Sequence, residues 1–294
     1  MSASRRSRAR SGLTEPSGSL LKEKFTEVEG CRVHYWEGGS GFPVLMMHGV
    51  GPGTSIVGNF EPVLEPLAER YHVFACDLIG FGASDRKPDA PYFDVDLWVR
   101  QGLAMLELMP DGDCGVAGHS LGGALALKVA SRSPRIAAVL TSCGIGAPYK
   151  LNDALDGFWS PTADKDGLRR AMEAMVADPS SVTDDMIDGR WDLLGRPGYA
   201  EYFADMFAPP RQRFIDAAVL SDRELAAITA RVMMIHGRGD RPCPPEQTTL
   251  VLARSLPRAE VRLSPNCGHN LPRERTGAYL SAAQEIFGAN HDTR

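Results

Sequence analysis

The hydrophobic residues of this chain change their spacing after about residue 36. Before that point, the stretch KFTEVEGCRVHYW (24–36) alternates around Glu29 and Gly30, which predicts a β-hairpin. Beyond it, short and almost continuously apolar runs are typical of strands that are covered on both faces. These runs are 43–49, 71–78, 114–120, 136–143, 231–237 and 259–265.

Segments with helical spacing of apolar residues separate these runs. The predicted helices are at about 60–69, 95–109, 121–133, 245–255 and 273–287. Strands that alternate with helices in this way predict an α/β fold, in which a mostly parallel central sheet carries helices on both faces.

One long segment, 144–225, contains no such strand run. It has helical patches such as DGLRRAMEAMVADP that are interrupted by prolines, which predicts a helical lid inserted into the α/β domain. We therefore expect an α/β core formed by 23–143 and 226–290. The arginine-rich beginning of the chain, 1–22, is predicted to be a disordered tail, with an organelle-targeting peptide as the alternative interpretation.

Composition narrows the possible partners. The 294 residues carry a net charge of −5, which argues against binding to nucleic acid. No apolar run reaches the roughly 18 residues that span a bilayer, so no membrane partner is expected. The six cysteines form neither a C-x-x-C pair nor a cluster with metal-ligand spacing, which predicts reduced core thiols, no metal site and a cytoplasmic location.

A serine between glycines provides the strongest chemical signal. The stretch Gly118-His119-Ser120-Leu121-Gly122 matches the nucleophile elbow G-x-S-x-G, with a predicted strand before it and a predicted helix after it. Glycines are needed there because a sharp turn that lifts a serine hydroxyl off the sheet leaves no room for Cβ atoms. The alternative is a glycine-rich N-terminus of an ordinary helix.

A serine hydroxyl needs a base, and the elbow predicts the chain order serine, acid, histidine. His269 follows the last predicted strand and is the expected base, with a buried structural histidine as the alternative. Asp240 follows the strand before that and is the expected acid, with a surface-turn aspartate as the alternative. His48 and His236 also end predicted strands, but both precede the positions that the oxyanion loop and the acid should occupy.

Two backbone N–H groups should form an oxyanion hole. One is predicted at Leu121, directly after the serine, and the other at Val50 in the stretch HGVGPG. A phosphate-binding loop is disfavoured for this stretch because no Lys-Ser/Thr pair follows it.

With these residues in place, the chain resembles an α/β-hydrolase, specifically the meta-cleavage product hydrolases, which cut carbon–carbon bonds in ring-fission products of aromatic compounds. The greatest likeness is to the 2-hydroxymuconate semialdehyde hydrolases. It extends over about 25–287, where HGVGPG is close to the H-G-S-G-P-G loop of that family and RPGYAEYFADMFAPPRQRF resembles its lid segment.

The resemblance implies cofactor-free hydrolysis of a 2-hydroxy-6-oxohexa-2,4-dienoate, which is a small-molecule substrate. The habit of the family also implies a homodimer. The resemblance further implies that Asn59 and Arg190 hold the dienol and carboxylate end of the substrate. An arginine fork suits a carboxylate. A helix N-cap is the alternative role for Asn59, and a solvated helix arginine is the alternative for Arg190.

Three positions depart from the family pattern. His119 stands where asparagine is usual, Asn270 where tryptophan is usual, and Val50 where a small or hydroxyl residue is usual. The resemblance places His119 and Asn270 in the substrate pocket. A carboxylesterase or lactonase with the same triad is therefore the alternative function, and a non-enzymatic scaffold is a third.

Overall fold

The computed structural model describes residues 18–256 and 258–288. Most of the predicted tail lies outside these residues, but the first strand begins at Leu21, inside the segment that was predicted to be disordered. The strands are β1 (Leu21–Val28), β2 (Cys31–Gly38), β3 (Pro43–Met47), β4 (His72–Cys76), β5 (Cys114–His119), β6 (Ile136–Ser142), β7 (Arg231–Gly237) and β8 (Ala259–Ser264).

These strands form one eight-stranded sheet in the order β1-β2-β4-β3-β5-β6-β7-β8. The predicted hairpin is confirmed: β1 and β2 pair antiparallel around Glu29 and Gly30, which both have positive φ. β2 also pairs antiparallel with β4, whereas every pair from β4 to β8 is parallel. The predicted α/β fold with a mostly parallel sheet is confirmed.

Helices connect the parallel strands, as the sequence predicted. Those of the α/β part are α1 (Ile56–Ala68), α2 (Val95–Leu106), α3 (Leu121–Ala130), α10 (Thr249–Ser255), α11 (Leu271–Glu274) and α12 (Thr276–Gly288). Within the described chain, no helix combines the length and the apolar character that crossing a bilayer requires.

The segment 144–225, which we call the insertion, lies between β6 and β7. All of its residues are described, and its regular structure is helical. Its helices are α4 (Asp153–Trp159), α5 (Lys165–Glu173), α6 (Asp184–Leu194), α7 (Tyr199–Met206) and α8 (Gln212–Ala218), with a 3-10 turn at Pro179–Ser181. A further helix, α9 (Asp222–Ala227), begins in the insertion and ends two residues beyond it.

Two of the differences from the sequence prediction concern α1 and β8. α1 begins at Ile56 rather than near residue 60, because the Ser55 side chain caps it by accepting a hydrogen bond from the Gly58 N–H. β8 was expected to be covered on both faces, but it forms the edge of the sheet and has no fully buried residue. Its charged residues Glu260 and Arg262 are typical of edge strands, which avoid pairing with other chains.

The sheet separates two hydrophobic clusters. Leu45 and Met47 belong to one cluster, whereas Val44 and Met46 belong to the other. Because consecutive side chains of a strand point to opposite faces, each cluster packs against one face of the sheet. The apolar run of β3 is thus buried on both sides, which explains why it shows no alternation.

The close approach of β5 and α3 gives a testable prediction about stability. A Cβ atom at Gly118 would overlap the Gly122 carbonyl group, which is backbone and cannot rotate away. We expect Gly118→Ala to lower the free energy of unfolding by about 1–3 kcal/mol or more, measured by urea denaturation. Gly277→Ala is the matched control: its Cβ would meet nothing within 4 Å, and alanine favours a helix, so stability should be unchanged or higher.

Candidate active site

The predicted elbow is present at the junction of β5 and α3. Ser120 has a φ of 55° and a ψ of −122°, a strained conformation for a residue with a side chain. The turn is held by hydrogen bonds from the Ser120 N–H to the Ser142 carbonyl (3.0 Å) and from the Gly123 N–H to the Ser120 carbonyl (2.9 Å). The serine hydroxyl therefore lies at the N-terminus of α3, where the helix dipole favours negative charge.

Asp240 and His269 form a buried acid–base pair. Asp240 follows β7, His269 lies between β8 and α11, and His269 Nδ1 is 2.8 Å from Asp240 Oδ2. Burial alone would lower the pKa of His269, but the Asp240 carboxylate outweighs it and raises the pKa above its ordinary value. Burial alone would raise the pKa of Asp240, but the neighbouring imidazoles outweigh it and lower the pKa below its usual range.

Ser120 and His269 line the same pocket. Among the described residues, no direct hydrogen bond joins the serine hydroxyl to the imidazole. A catalytic hydrogen bond of this kind is often long before substrate binds and tightens in the reacting complex. The arrangement thus brings alcohol, imidazole and carboxylate to one place in the order that the sequence predicted.

A second imidazole also contacts Asp240. His236 Nε2 lies 2.9 Å from Asp240 Oδ2 and 2.8 Å from the Cys243 carbonyl oxygen, and its Nδ1 lies 2.7 Å from Thr249 Oγ1. Both partners of Nε2 are acceptors, so Nε2 carries the hydrogen and Nδ1 accepts from the threonine hydroxyl. Sequence reasoning left His236 out of the site, although its spacing four residues before Asp240 was a signal.

The loop after β3 holds the predicted oxyanion donor. Gly49 is fixed at both polar groups: its N–H donates to Asn59 Oδ1 (2.8 Å), and its carbonyl accepts from His48 Nδ1 (2.5 Å). His48 Nε2 accepts from the Leu78 N–H, so the hydrogen of this ring is on Nδ1. Because a trans peptide directs C=O and N–H oppositely, fixing the Gly49 carbonyl also fixes the direction of the Val50 N–H.

The other predicted donor, Leu121, is the first residue of α3. The N–H of a first helical residue has no acceptor within the helix. Asn59 lies inside α1 and is buried, whereas Ser55 caps that helix. The N-cap role that was the alternative for Asn59 is therefore wrong.

Arg190 forms the polar end of the pocket. It lies on α6, its side chain is buried, and its Nη1 donates to the Pro52 carbonyl and to Thr54 Oγ1, both at 2.9 Å. No ion pair within the described chain includes this guanidinium. Burial, together with the positive charge of Arg273, lowers the pKa of Arg190 to about 10. A buried cation of this kind favours an anionic ligand.

His119 and Asn270, two of the three residues that depart from the family pattern, also line the pocket. His119 Nδ1 is 3.0 Å from the Ser142 carbonyl oxygen, so it carries the hydrogen and leaves Nε2 as an acceptor. Burial and the nearby His269 hold the pKa of His119 well below its ordinary value, which keeps the ring neutral. Asn270 presents a side-chain oxygen that has no hydrogen-bond partner among the described residues.

The insertion provides the apolar wall of the pocket. Its contributing side chains are Phe158, Met172, Met175, Val176, Val182 and Met186. The α/β part contributes Ser120, His269 and Asn59 to the lining of the same pocket. The pocket thus suits a ligand with one anionic end and one apolar end, as small-molecule sites commonly do.

One group of potential metal ligands occurs among the described residues: Cys143, Asp240 and His269, whose ligand atoms lie within 4.8 Å of one another. These atoms already have partners. Asp240 and His269 bond to each other, and the Cys143 thiol donates to the Gly268 carbonyl. All six cysteines of the chain are buried and unpaired.

The contact between His236 and Asp240 gives a prediction about pH. In His236→Phe, Asp240 loses one N–H donor, becomes a stronger acceptor for His269 and raises the pKa of that imidazole further. His269 must be neutral to act as a base. In the pH profile of the rate at which a fluorophosphonate labels Ser120, the acid limb should therefore move to higher pH by about 0.5–1 unit. His236→Gln, which keeps an N–H donor, is the control and should retain the wild-type limb. An unchanged limb in folded His236→Phe would contradict the prediction.

Comparison with known proteins agrees with this geometry. A model of the alpha/beta hydrolase family matches residues 44–283. The chain is 33% identical to a 2-hydroxymuconate semialdehyde hydrolase of Pseudomonas sp. strain CF600 over 88% of this chain and 91% of that protein. It is 31% identical to a 2-hydroxy-6-oxo-2,4-heptadienoate hydrolase of Pseudomonas putida over 88% and 94% of the two chains.

A solved structure is also similar to this chain. The meta-cleavage product hydrolase of Pseudomonas fluorescens IP01 superposes with a TM-score of 0.85 and 30% identity, covering 91% of this chain and 98% of that one. The match therefore includes the insertion as well as the α/β part. The chain belongs to the α/β-hydrolase family and, within it, to the meta-cleavage product hydrolases.

Proposed function

We propose that this chain hydrolyses the C5–C6 carbon–carbon bond of a 2-hydroxy-6-oxohexa-2,4-dienoate, with Ser120, His269 and Asp240 as the catalytic triad. The observation that carries the proposal is a buried arginine, Arg190, without an acidic partner among the described residues, in the pocket that contains Ser120. The relatives whose names specify 2-hydroxymuconate semialdehyde and 2-hydroxy-6-oxo-2,4-heptadienoate as substrates support it.

The polar end of the pocket binds the carboxylate and dienol of the substrate. Arg190 pairs with the C1 carboxylate, and Asn59, whose Oδ1 is held by the Gly49 N–H, contributes its amide to the same end. The free acceptors of His119 and Asn270 suit the 2-hydroxyl group, which is a hydrogen-bond donor in the enol form. The C6 substituent then lies against the apolar wall of the insertion.

The reaction begins with ketonisation. The proton of the 2-hydroxyl group is lost and C5 gains a proton, with His269 assisting the transfer, which produces a vinylogous 1,5-diketone. The C6 carbonyl is then attacked by Ser120 or by a water molecule that the triad activates. The N–H groups of Val50 and Leu121 stabilise the oxyanion that forms at C6.

Cleavage breaks the C5–C6 bond. Its electron pair passes through C4 and C3 to the 2-oxo oxygen, which takes up a proton. The products are a 2-hydroxypenta-2,4-dienoate and a carboxylic acid, which is formate when C6 carries hydrogen. If Ser120 is the attacking group, water subsequently hydrolyses the acyl-enzyme, so both routes consume one water molecule.

In this proposal the insertion, 144–225, is a lid over a core formed by 23–143 and 226–290. Closed over the pocket, it excludes bulk water from the ketonised intermediate. The homodimer and the cytoplasmic location that were expected from the sequence stay predictions.

The function is tested with two substrates. Wild-type protein should bleach the yellow ring-fission dienolate, and Ser120→Ala should lower kcat by several orders of magnitude while the circular dichroism spectrum is unchanged. Absorbance at the dienolate band measures the reaction, and release of p-nitrophenol from short esters is the comparison. Wild-type protein that hydrolyses the esters but leaves the dienolate unchanged would be a carboxylesterase or lactonase, against this proposal.

The role of Arg190 gives a separate prediction. Arg190→Ala should reduce kcat/KM for the carboxylate-bearing dienolate by an amount equivalent to about 2–5 kcal/mol, because the substrate anion loses its buried partner. Hydrolysis of neutral esters should change far less. Arg190→Lys keeps the charge without the planar fork and should be intermediate. An equal loss on both kinds of substrate would contradict a carboxylate-binding role.

A further inference from the structure

The carboxylate of Glu274, at the end of α11, binds the backbone on both sides of the catalytic histidine. Glu274 Oε2 accepts from the Gly268 N–H (2.9 Å), and Oε1 accepts from the Asn270 N–H (3.0 Å). One side chain thus holds the backbone N–H groups of the two residues that flank His269.

The same carboxylate reaches the insertion. Glu274 Oε2 also accepts from the Ala177 N–H at 2.8 Å. A carboxylate that only capped α11 would contact Asn270, the residue before the helix, and would need no partner in the insertion. Glu274 therefore joins the histidine loop to the insertion.

Residues 174–177, which we call the docking segment, lie directly against the histidine loop. The His269 N–H donates to the Met175 carbonyl (2.7 Å), and Arg241 Nη2 donates to the Ala174 carbonyl (2.9 Å). The approach is so close that a Cβ atom at Gly268 would lie 2.7 Å from the Ala177 nitrogen.

Met175 and Val176 of the docking segment also line the substrate pocket. The docking segment therefore covers the pocket and, through the Met175 carbonyl, provides the acceptor for the backbone N–H of the catalytic histidine. If it moved away, His269 would lose that acceptor and Glu274 would lose one of its three donors.

We propose that Glu274 is a positioning residue that couples docking of residues 174–177 to the placement of His269, so that the histidine is correctly placed only while the pocket is covered. The charge matters because a carboxylate has acceptors only, and these meet three N–H donors. A glutamine would direct an amide N–H at one of those donors and could not satisfy all of them. The proposal rests on the proposed function only in taking His269 as the base for Ser120.

The test compares Glu274→Gln with wild type. Hydrogen exchange at the amides of Ala177 and His269 should become at least about tenfold faster. Labelling of Ser120 by a fluorophosphonate should slow by roughly 10- to 100-fold per folded molecule, since small displacements of a catalytic group carry losses of that size. When the substrate is the dienolate, a larger fraction of the ketonised intermediate should leave the pocket before its C5–C6 bond is cleaved.

Glu285→Gln is the matched control. Glu285 lies on α12, is exposed and pairs with Arg262, so none of these measurements should change. Because labelling needs only Ser120 and a placed His269, it tests the inference even if the chain cleaves no dienolate.

Two results in Glu274→Gln would overturn the coupling. One is an unchanged rate of hydrogen exchange at Ala177 and His269. The other is faster exchange while the rate of Ser120 labelling and the fraction of released intermediate both stay at their wild-type values. If Glu274→Gln does not fold, Arg241→Ala decides the matter, because it removes a contact of the docking segment and leaves Glu274 intact. It should then speed exchange at Ala177 and slow labelling. Wild-type labelling together with faster exchange would reject the coupling.

Discussion

The site depends on a carboxylate that stays ionised inside the protein. Asp240 is almost fully buried, where an isolated charge would be strongly unfavourable. It is stabilised by donors from three directions: His269, His236 and the Cys243 N–H, which lies 2.9 Å from Oδ1. Two of these donors, His236 and the Cys243 N–H, are held by the end of β7 and the turn that follows it. The carboxylate is therefore fixed in one position, and it orients the His269 ring.

The parallel sheet explains why distant segments meet there. Ser120, Asp240 and His269 each follow a strand, and β5, β6, β7 and β8 are neighbours in the sheet. The carboxyl ends of parallel strands lie at one edge, so residues that are far apart in the chain converge. This is why the sequence, in which apolar runs mark the strands, could predict that these three residues lie close together.

Other parts of the site could not be predicted from the pattern. His236 was set aside because it precedes the position expected for the acid. The sequence does not show which way its ring faces, since that direction is set by the contact with Thr249 of α10. Glu274 belongs to an ordinary polar stretch, and nothing in that stretch shows that its carboxylate contacts Ala177, which lies 97 residues earlier in the chain. β8 was misjudged because three apolar residues among polar ones resemble a buried strand until the strand order is known.

The two walls of the pocket come from different stretches of the chain. The α/β part supplies the groups that make and break bonds, whereas α4, α5, α6 and the turns between them supply the surface that meets the remainder of the ligand. Exchanges among bulky side chains such as Met172 and Met186 can therefore alter which molecules are accepted while the triad is undisturbed. Selectivity can diversify in this architecture at little risk to reactivity, since the two properties are encoded by separate stretches of sequence.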